Sequence, residues 1–416
     1  MKMSTYRSCV ISAILGMGWL LTSCNQESST STPEYRTQLI DSLLNSAVQN
    51  GEIPGAVAYI NRGGNEVYHK AFGYRKLEGE VHMQTEDIFR MASMTKALTA
   101  VSIMQLYERG LLFLDDRVSH YIPAFKNPQI LVEIHEDSSF TAVPSEREIT
   151  IRQLLTHTSG IGYGFVDESY NSLVIKHNVS EGFEDDDRSS MENILRLAEL
   201  PLLFTPGEKY TYGMSYDVLG VVIEVVTGLR FDKYVKQYII DPLEMNDSYF
   251  IVPPEERHRL VSIYQPSEKG LIPTSYPDTA YPVLDHRRFF SGGGDLCSTA
   301  EDYGKFVQMI LNHGVYNNIR ILGSRFVEMM LMKQTKLEDY NAVQGFAAWV
   351  TNKQGAARGP MSEGSYGFGG FWDTQSWADP KGDYVSVLLL QMYPGNNHRI
   401  QQKFKNITYG IIDDFD

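Results

Sequence analysis

The chain has 416 residues, 43% apolar and 21% charged, with a formal net charge of −14. This is the balance of a soluble globular protein with ample material for a core. The negative charge, with no cluster of Lys and Arg, argues against a nucleic-acid partner, which would need a basic stripe.

The first 24 residues read as a leader. Lys2 and Arg7 form a basic start, Cys9 to Leu20 is an apolar run broken by Ser12 and two glycines, and Leu21-Thr22-Ser23-Cys24 follows. A membrane span needs about 20 predominantly apolar residues, so the shorter run fits a secretory signal. Its end resembles the bacterial lipobox, in which the Cys becomes the acylated N-terminus. The alternative is an ordinary signal with an incidental Cys. On the lipobox reading 1–23 is a signal peptide, Cys24 attaches the lipid and 24–34 is a polar tether. The protein is then an exported lipoprotein anchored in a membrane, facing the periplasm or on the cell surface. Cys24 and Cys297 alone survive processing, so no intramolecular disulfide is expected. Cys297 reads as a small buried residue.

From 35 to 412 no stretch looks like a long linker. Leu39, Ile40, Leu43, Leu44 and Val48 predict a helix over 36–49. Strand-like runs at 56–60 and 66–72 flank Arg62-Gly63-Gly64-Asn65, a hairpin signal. A helix over 97–107 is apolar on most sides and stops at Gly110. The middle, roughly 120–290, is rich in helix signals such as 191–198 and 217–227. Strand-like runs return at 346–351, 374–378 and 384–393, the last two joined by Asp379-Pro380-Lys381-Gly382, before a helix over 398–412. The expected class is α/β in the α+β sense. One antiparallel sheet is built from both chain ends and flanked by helices, with a mostly helical subdomain beside it.

The chemistry begins at Ser93-Met94-Thr95-Lys96. Lys96 is the one basic residue between Arg90 and Arg109, on a helix that reads as buried, and a buried Lys needs a reason. Residues three apart on a helix share a face, so the amine can reach the Ser93 hydroxyl. Burying an ammonium disfavours its charged form and makes an amine a proton acceptor. The positive end of the helix dipole favours negative charge developing at Ser93. These are the requirements of an activated nucleophile. Taken alone, the spacing is equally that of a capping Ser and a snorkelling Lys.

The company of this motif resembles the serine β-lactamase and penicillin-binding-protein superfamily, in its class C β-lactamase-related branch, over about 35–412. The matching stretches, in order, are Phe89 to Lys96, Leu154-Leu155-Thr156-His157-Thr158-Ser159-Gly160, Thr205 to Tyr212 with Asp217 to Gly220, Ser291 to Gly294 with Ser298 to Tyr303, and Gly369-Gly370 before Asp379-Pro380. The resemblance implies a β-lactamase/transpeptidase-like fold, Ser93 as nucleophile, and Lys96 and Tyr212 as its proton-transfer partners. It implies an oxyanion site at the backbone N–H groups of Ser93 and Phe371, and substrate contacts at Met214, Phe368, Gly369 and Gly370. Two motifs depart from the β-lactamase form. Tyr-x-Asn is here Tyr212-Gly213-Met214, and Lys-Thr-Gly or His-x-Gly is here Phe368-Gly369-Gly370. Both departures resemble family VIII carboxylesterases, and the second removes a cation that would hold a substrate carboxylate.

The expected function is therefore an esterase-like acyl hydrolase acting on a small ester, amide or peptide. A β-lactamase or a D-alanyl-D-alanine carboxypeptidase is the alternative within enzymes. A penicillin-binding module that acylates without turnover is the alternative outside them. No cofactor or metal is expected, since no zinc-binding His spacing occurs. His157 reads as a satisfied histidine in a structural loop. The absence of a Gly-x-Ser-x-Gly elbow argues against an α/β-hydrolase. The acidic run 181–188 reads as a solvated loop, with a calcium site as the weaker option. Phe371, Trp372 and Trp377 read as core, with one or two of them beside an acyl pocket.

Overall fold

A computed structural model describes residues 33–183, 187–274, 280–335 and 342–412. The leader, Cys24 and most of the tether lie outside the described residues.

An eight-stranded sheet organises the chain. Its strands are β1 (Gly55–Arg62), β2 (Asn65–Lys76), β3 (Val81–His82), β4 (Ala342–Gln344), β5 (Trp349–Thr351), β6 (Tyr366–Gly369), β7 (Gln375–Asp379) and β8 (Tyr384–Leu389). Their spatial order is β4-β5-β6-β7-β8-β1-β2-β3, with every neighbour antiparallel. The two chain ends meet where β1 pairs with β8, Val57 opposite Leu389. The Gly63-Gly64 hairpin is present, both residues at positive φ as a type I′ turn requires.

Both faces of this sheet are covered. On β1, Ala56, Ala58 and Ile60 join an outer core with Trp377, Leu388 and Phe404, while Val57 and Tyr59 join the main core. The outer layer is helix α1 (Pro33–Gln49) packed on the C-terminal helix His398–Ile411. The inner layer holds α2 (Thr95–Glu108), α3 (Ser215–Thr227) and α4 (Ala300–Leu311). Every residue of α2 from Thr95 to Leu106 except Gln105 has under 6% of its surface exposed. The helix is a central rod, as its all-round apolar sequence implied.

The middle of the chain carries helices at Glu168–Lys176 and Ser190–Leu197, the latter opened by a Ser189/Glu192 capping box. It also carries two hairpins that the periodicity did not show, Gln129–Ile134 with Phe140–Pro144 and Tyr264–Ser267 with Gly270–Pro273.

Phe404 is fully buried, its ring edge-on to Trp377 at 5.7 Å. Phe404→Ala should cost about 3–5 kcal/mol of stability through the cavity it leaves between helix and sheet. Chemical denaturation checks this, and a loss below about 1 kcal/mol would show that the outer layer contributes little.

Candidate active site

Ser93 lies in the single 3-10 turn Ala92–Met94, directly before α2. The approach to it is fixed from two sides. Phe89–Arg90 pairs with Cys297–Ser298, and Gln391, just beyond β8, accepts the Arg90 N–H at 3.2 Å and donates to the Arg90 carbonyl at 3.1 Å. Ala92 has φ +45°, a left-handed conformation that costs a non-glycine residue about 1–3 kcal/mol. Thr95 Oγ1 steadies that turn by donating to the Ala92 carbonyl at 2.7 Å.

One turn on, Lys96 Nζ donates to Ser93 Oγ at 3.2 Å and to the Gly293 carbonyl at 2.8 Å, and lies 3.5 Å from Tyr163 OH. Tyr212 OH donates to Ser93 Oγ from another direction at 2.5 Å. The Lys96 amine sits 4.7 Å from the centre of the Tyr212 ring. The structure therefore brings Ser93, Lys96 and Tyr212 into one hydrogen-bonded group.

Tyr212 is placed by its neighbours. The N–H of Thr211 bonds the His157 carbonyl at 2.9 Å, and the N–H of Gly213 bonds His157 Nδ1 at 3.4 Å. A Cβ on Gly213 would lie 1.9 Å from the Ile161 carbonyl, so only glycine lets this segment pass. His157 packs 4.8 Å from the Tyr212 ring, and burial, with the Lys96 charge second, holds its pKa well below 6.5. It is a neutral acceptor that orients Tyr212, consistent with a histidine satisfied within its loop.

Behind Lys96 is a buried polar group that spacing did not reveal. Tyr163 OH donates to Asp217 Oδ2 at 3.4 Å, and Ser291 Oγ donates to Asp217 Oδ1. Burial pushes the Asp217 carboxyl up, opposed by Ser291 and the Lys96 charge; burial likewise pushes the Tyr163 phenol well above 10, with Asp217 adding to it. Asp217 could have been noticed as Lys96 was, as an ionisable residue in an apolar helix. Tyr163, between two glycines, gives no such signal.

Two hollows meet at Ser93. The larger, about 490 Å3, has aromatic walls at Tyr163, Phe165, Phe183, Phe371 and Tyr393. The smaller, about 110 Å3, runs past Tyr210, Phe368 and Trp349. Among the described residues, Lys96 is the one Lys or Arg lining either hollow. Gly369 lines both, and Gly370 lines the larger. A Cβ on Gly370 would lie 2.4 Å from the Met91 carbonyl, so the end of β6 closes directly on the turn that carries Ser93. The Gly370 N–H is spent on the Thr374 carbonyl at 2.8 Å.

Met214 corrects an expectation. It is fully buried in the main core at the start of α3 and adds no surface to the cleft, so it cannot touch substrate there. Phe371 lines the cleft, Trp372 is buried beside it, and Trp377 belongs to the outer core. The Cys297 thiol is buried and pushed up to about 12, as suits a packing residue. Within the acidic run, Glu181 faces the cleft and accepts the Gly164 N–H at 2.5 Å, which a purely solvated loop would not do. Residues 184–186 lie outside the described residues. Among the described residues no cluster of His, Cys, Asp and Glu could hold a metal ion.

The family described as Beta-lactamase matches residues 40–405. The chain belongs to the beta-lactamase family. Its relatives include esterase EstB of Burkholderia gladioli, 29% identical over 367 residues, covering 84% of this chain and 89% of that one. Lovastatin esterase of Penicillium rubens is 32% identical over 277 residues, covering 65% and 68%. Among solved structures, EstCE1, described as a hydrolase with promiscuous acyltransferase activity, superposes with a TM-score of 0.79 at 23% identity, covering 91% of this chain and 99% of that one. The beta-lactamase fold is thus shown, and the family places the chain among serine hydrolases acting through an acyl-enzyme.

The neutral His157 has a measurable consequence. Below pH 6.5 an unfolded imidazole takes up a proton that the folded one refuses, so the unfolded state binds more protons and stability is lost as the pH is lowered. The slope is up to about 1.4 kcal/mol per pH unit until the folded ring titrates. His157→Asn, which keeps an acceptor and tolerates the left-handed backbone at φ +52°, should remove this contribution. Denaturation of both proteins between pH 7 and 5 tests it, and a stability difference that stays constant over that range would show that His157 does not titrate as stated.

Proposed function

We propose that the protein is a carboxylic-ester hydrolase whose nucleophile is Ser93. The observation that carries this reading is the Ser93 hydroxyl, held at 3.2 Å by Lys96 and at 2.5 Å by Tyr212 at the floor of an aromatic cleft. Ser93 attacks the ester carbonyl, and its proton passes to the Lys96–Tyr212 pair. The oxyanion sits between the N–H groups of Ser93 and Phe371. The neighbouring N–H of Gly370 is already committed to Thr374, while Phe371 sits at the corner that closes on Met91. The pair returns the proton to the leaving alcohol, and water then cleaves the acyl-enzyme.

The residue in the position of the β-lactamase cation is Phe368, 6% exposed and facing the small cavity beside Ser93 and Lys96. A carboxylate next to the scissile bond, as on a β-lactam, meets no Lys or Arg there among the described residues except Lys96, which is engaged with Ser93 Oγ and the Gly293 carbonyl. Two relatives named as esterases support the same side of the family.

A short-chain nitrophenyl ester should be turned over, with a cephalosporin turned over far more slowly. Ser93→Ala should lose at least about 10³-fold of the ester activity. A variant keeping more than about 1% would sink the assignment. A stable cephalosporin adduct on Ser93, with no ester turnover, would favour the penicillin-binding module.

We further propose that the protein is exported and lipid-anchored at Cys24, a reading supported by the basic start, the apolar run and Leu21-Thr22-Ser23-Cys24. Cys24→Ser should abolish fatty-acid labelling and move the protein from the membrane fraction. Unchanged labelling would place the lipid elsewhere, and no labelling of the wild type would remove it from the account.

A further inference from the structure

A third hollow, about 530 Å3, adjoins the site and takes no part in the chemistry above. It shares Trp349, Gly367, Phe368 and Gly369 with the small cavity at Ser93. β5 pairs with β6 only at Trp349–Gly367 and Val350–Tyr366, so Phe368 and Gly369 have no strand pairing on the β5 side. From that edge the groove runs to Trp377 and the C-terminal helix.

Its electrostatics are opposite to those of the aromatic cleft. The charged residues lining the groove are Arg358 and Lys405, with no carboxylate among the described residues. Glu181 and Asp373 line the cleft. In a chain of net charge −14, a hollow whose charged lining among the described residues is cationic is a departure from the average surface. Lys405 is half-buried and makes no hydrogen bond or ion pair among the described residues; its ammonium lies 4.9 Å from the centre of the Trp377 ring. Burial pushes its pKa down, so an anion placed beside it would restore the lost favour of its charged form.

We propose that this groove extends the substrate site and holds a carboxylate carried by the ester, several bonds from the scissile carbonyl. The proposal rests on the ester-hydrolase reading and adds an orientation. The anionic end lies toward Lys405, because Glu181 and Asp373 repel it from the aromatic cleft. Phe368 keeps a cation away from the scissile bond, and Lys405 supplies one further along.

The test compares matched esters within each protein. One set is nitrophenyl monoesters of dicarboxylic acids of about four to ten carbons, each against its methyl-capped counterpart. The other is butanoyl esters of hydroxycarboxylic acids, again with methyl-capped counterparts, which reports a carboxylate on the alcohol side. For one set and one chain length the free acid should have a kcat/KM about fivefold or more above its capped partner, the size expected of a partly exposed charge pair. Lys405→Met should bring that ratio close to one, and Lys405→Arg should keep part of it. Because the ratio is taken within one variant, a general loss of activity cancels. No preference in either set, or a preference that survives Lys405→Met, overturns the proposal. A second readout needs no turnover. Ser93→Ala titrated with the best dicarboxylate as its monomethyl ester should show a saturable change in tryptophan fluorescence, since Trp349 and Trp377 line the groove. That change should vanish on adding Lys405→Met. Binding without turnover in the wild type would fault the hydrolase reading alone, and turnover without binding in the groove would fault this one.

Discussion

An amine inside a protein core is the constraint from which the rest of this structure follows. Lys96 is 5% exposed, on a helix whose neighbours are Ala, Leu, Val, Ile and Met. A buried ammonium is tolerated only when oxygens replace the lost water. Here they are Ser93 Oγ, the Gly293 carbonyl and Tyr163 OH, with the Asp217 carboxylate one hydrogen bond further back. Each comes from a different part of the chain, so holding the amine draws the turn before α2, the loop after 160, the start of α3 and the glycine run at 292–294 to one point. Thr99 adds to this by donating to the Gly292 carbonyl at 2.7 Å. Catalytic geometry and core packing are here the same set of contacts.

The sheet acts on this point from the other side. Gln391 grips Arg90, and the Gly370 corner rests on Met91, both within three residues of Ser93. The left-handed φ of Ala92 persists because these contacts and α2 fix the chain before and after it. Strand alternation explains why β6 can serve both cores and cleft. Tyr366 and Phe368 point into the main core side, while Gly367 and Gly369 leave the other face hollow.

Much of this was legible in the sequence, for physical reasons that also mark where legibility ends. The hairpin at Gly63-Gly64 and the buried rod of α2 follow from local turn chemistry and from apolar residues on every side of a helix. Ser93 and Lys96 follow from helical spacing. Tyr212, by contrast, meets them across 119 residues, and only the resemblance indicated it. Strand β6 reads Tyr-Gly-Phe-Gly, whose glycines erase the usual strand signature. The expected strand at 346–351 is cut to Trp349–Thr351 because Ala347 turns at φ +60°. Met214 shows the limit of aligning motifs. Its position in Tyr-x-Asn implied substrate contact, yet a Met has no polar group to keep at a cleft and is better accommodated in the core, where it lies.

That last substitution clarifies how one reactive centre can be turned to different substrates. The groups proposed to move protons are locked by burial and by backbone carbonyls, so they change only at the expense of the fold. The groups that would meet substrate on the proposed reading stand at the free edge of β6 and along the aromatic walls, where a side chain can be replaced without disturbing Lys96. Phe368 in the place of a cation is such a change. It leaves the Ser93–Lys96–Tyr212 contacts intact and alters the charge a bound molecule meets beside them. On the proposed reading, selectivity is an electrostatic property of the cleft's surroundings, with Glu181 and Asp373 lining the cleft and Arg358 and Lys405 lining the groove. The nucleophile itself carries no information about which ester it attacks.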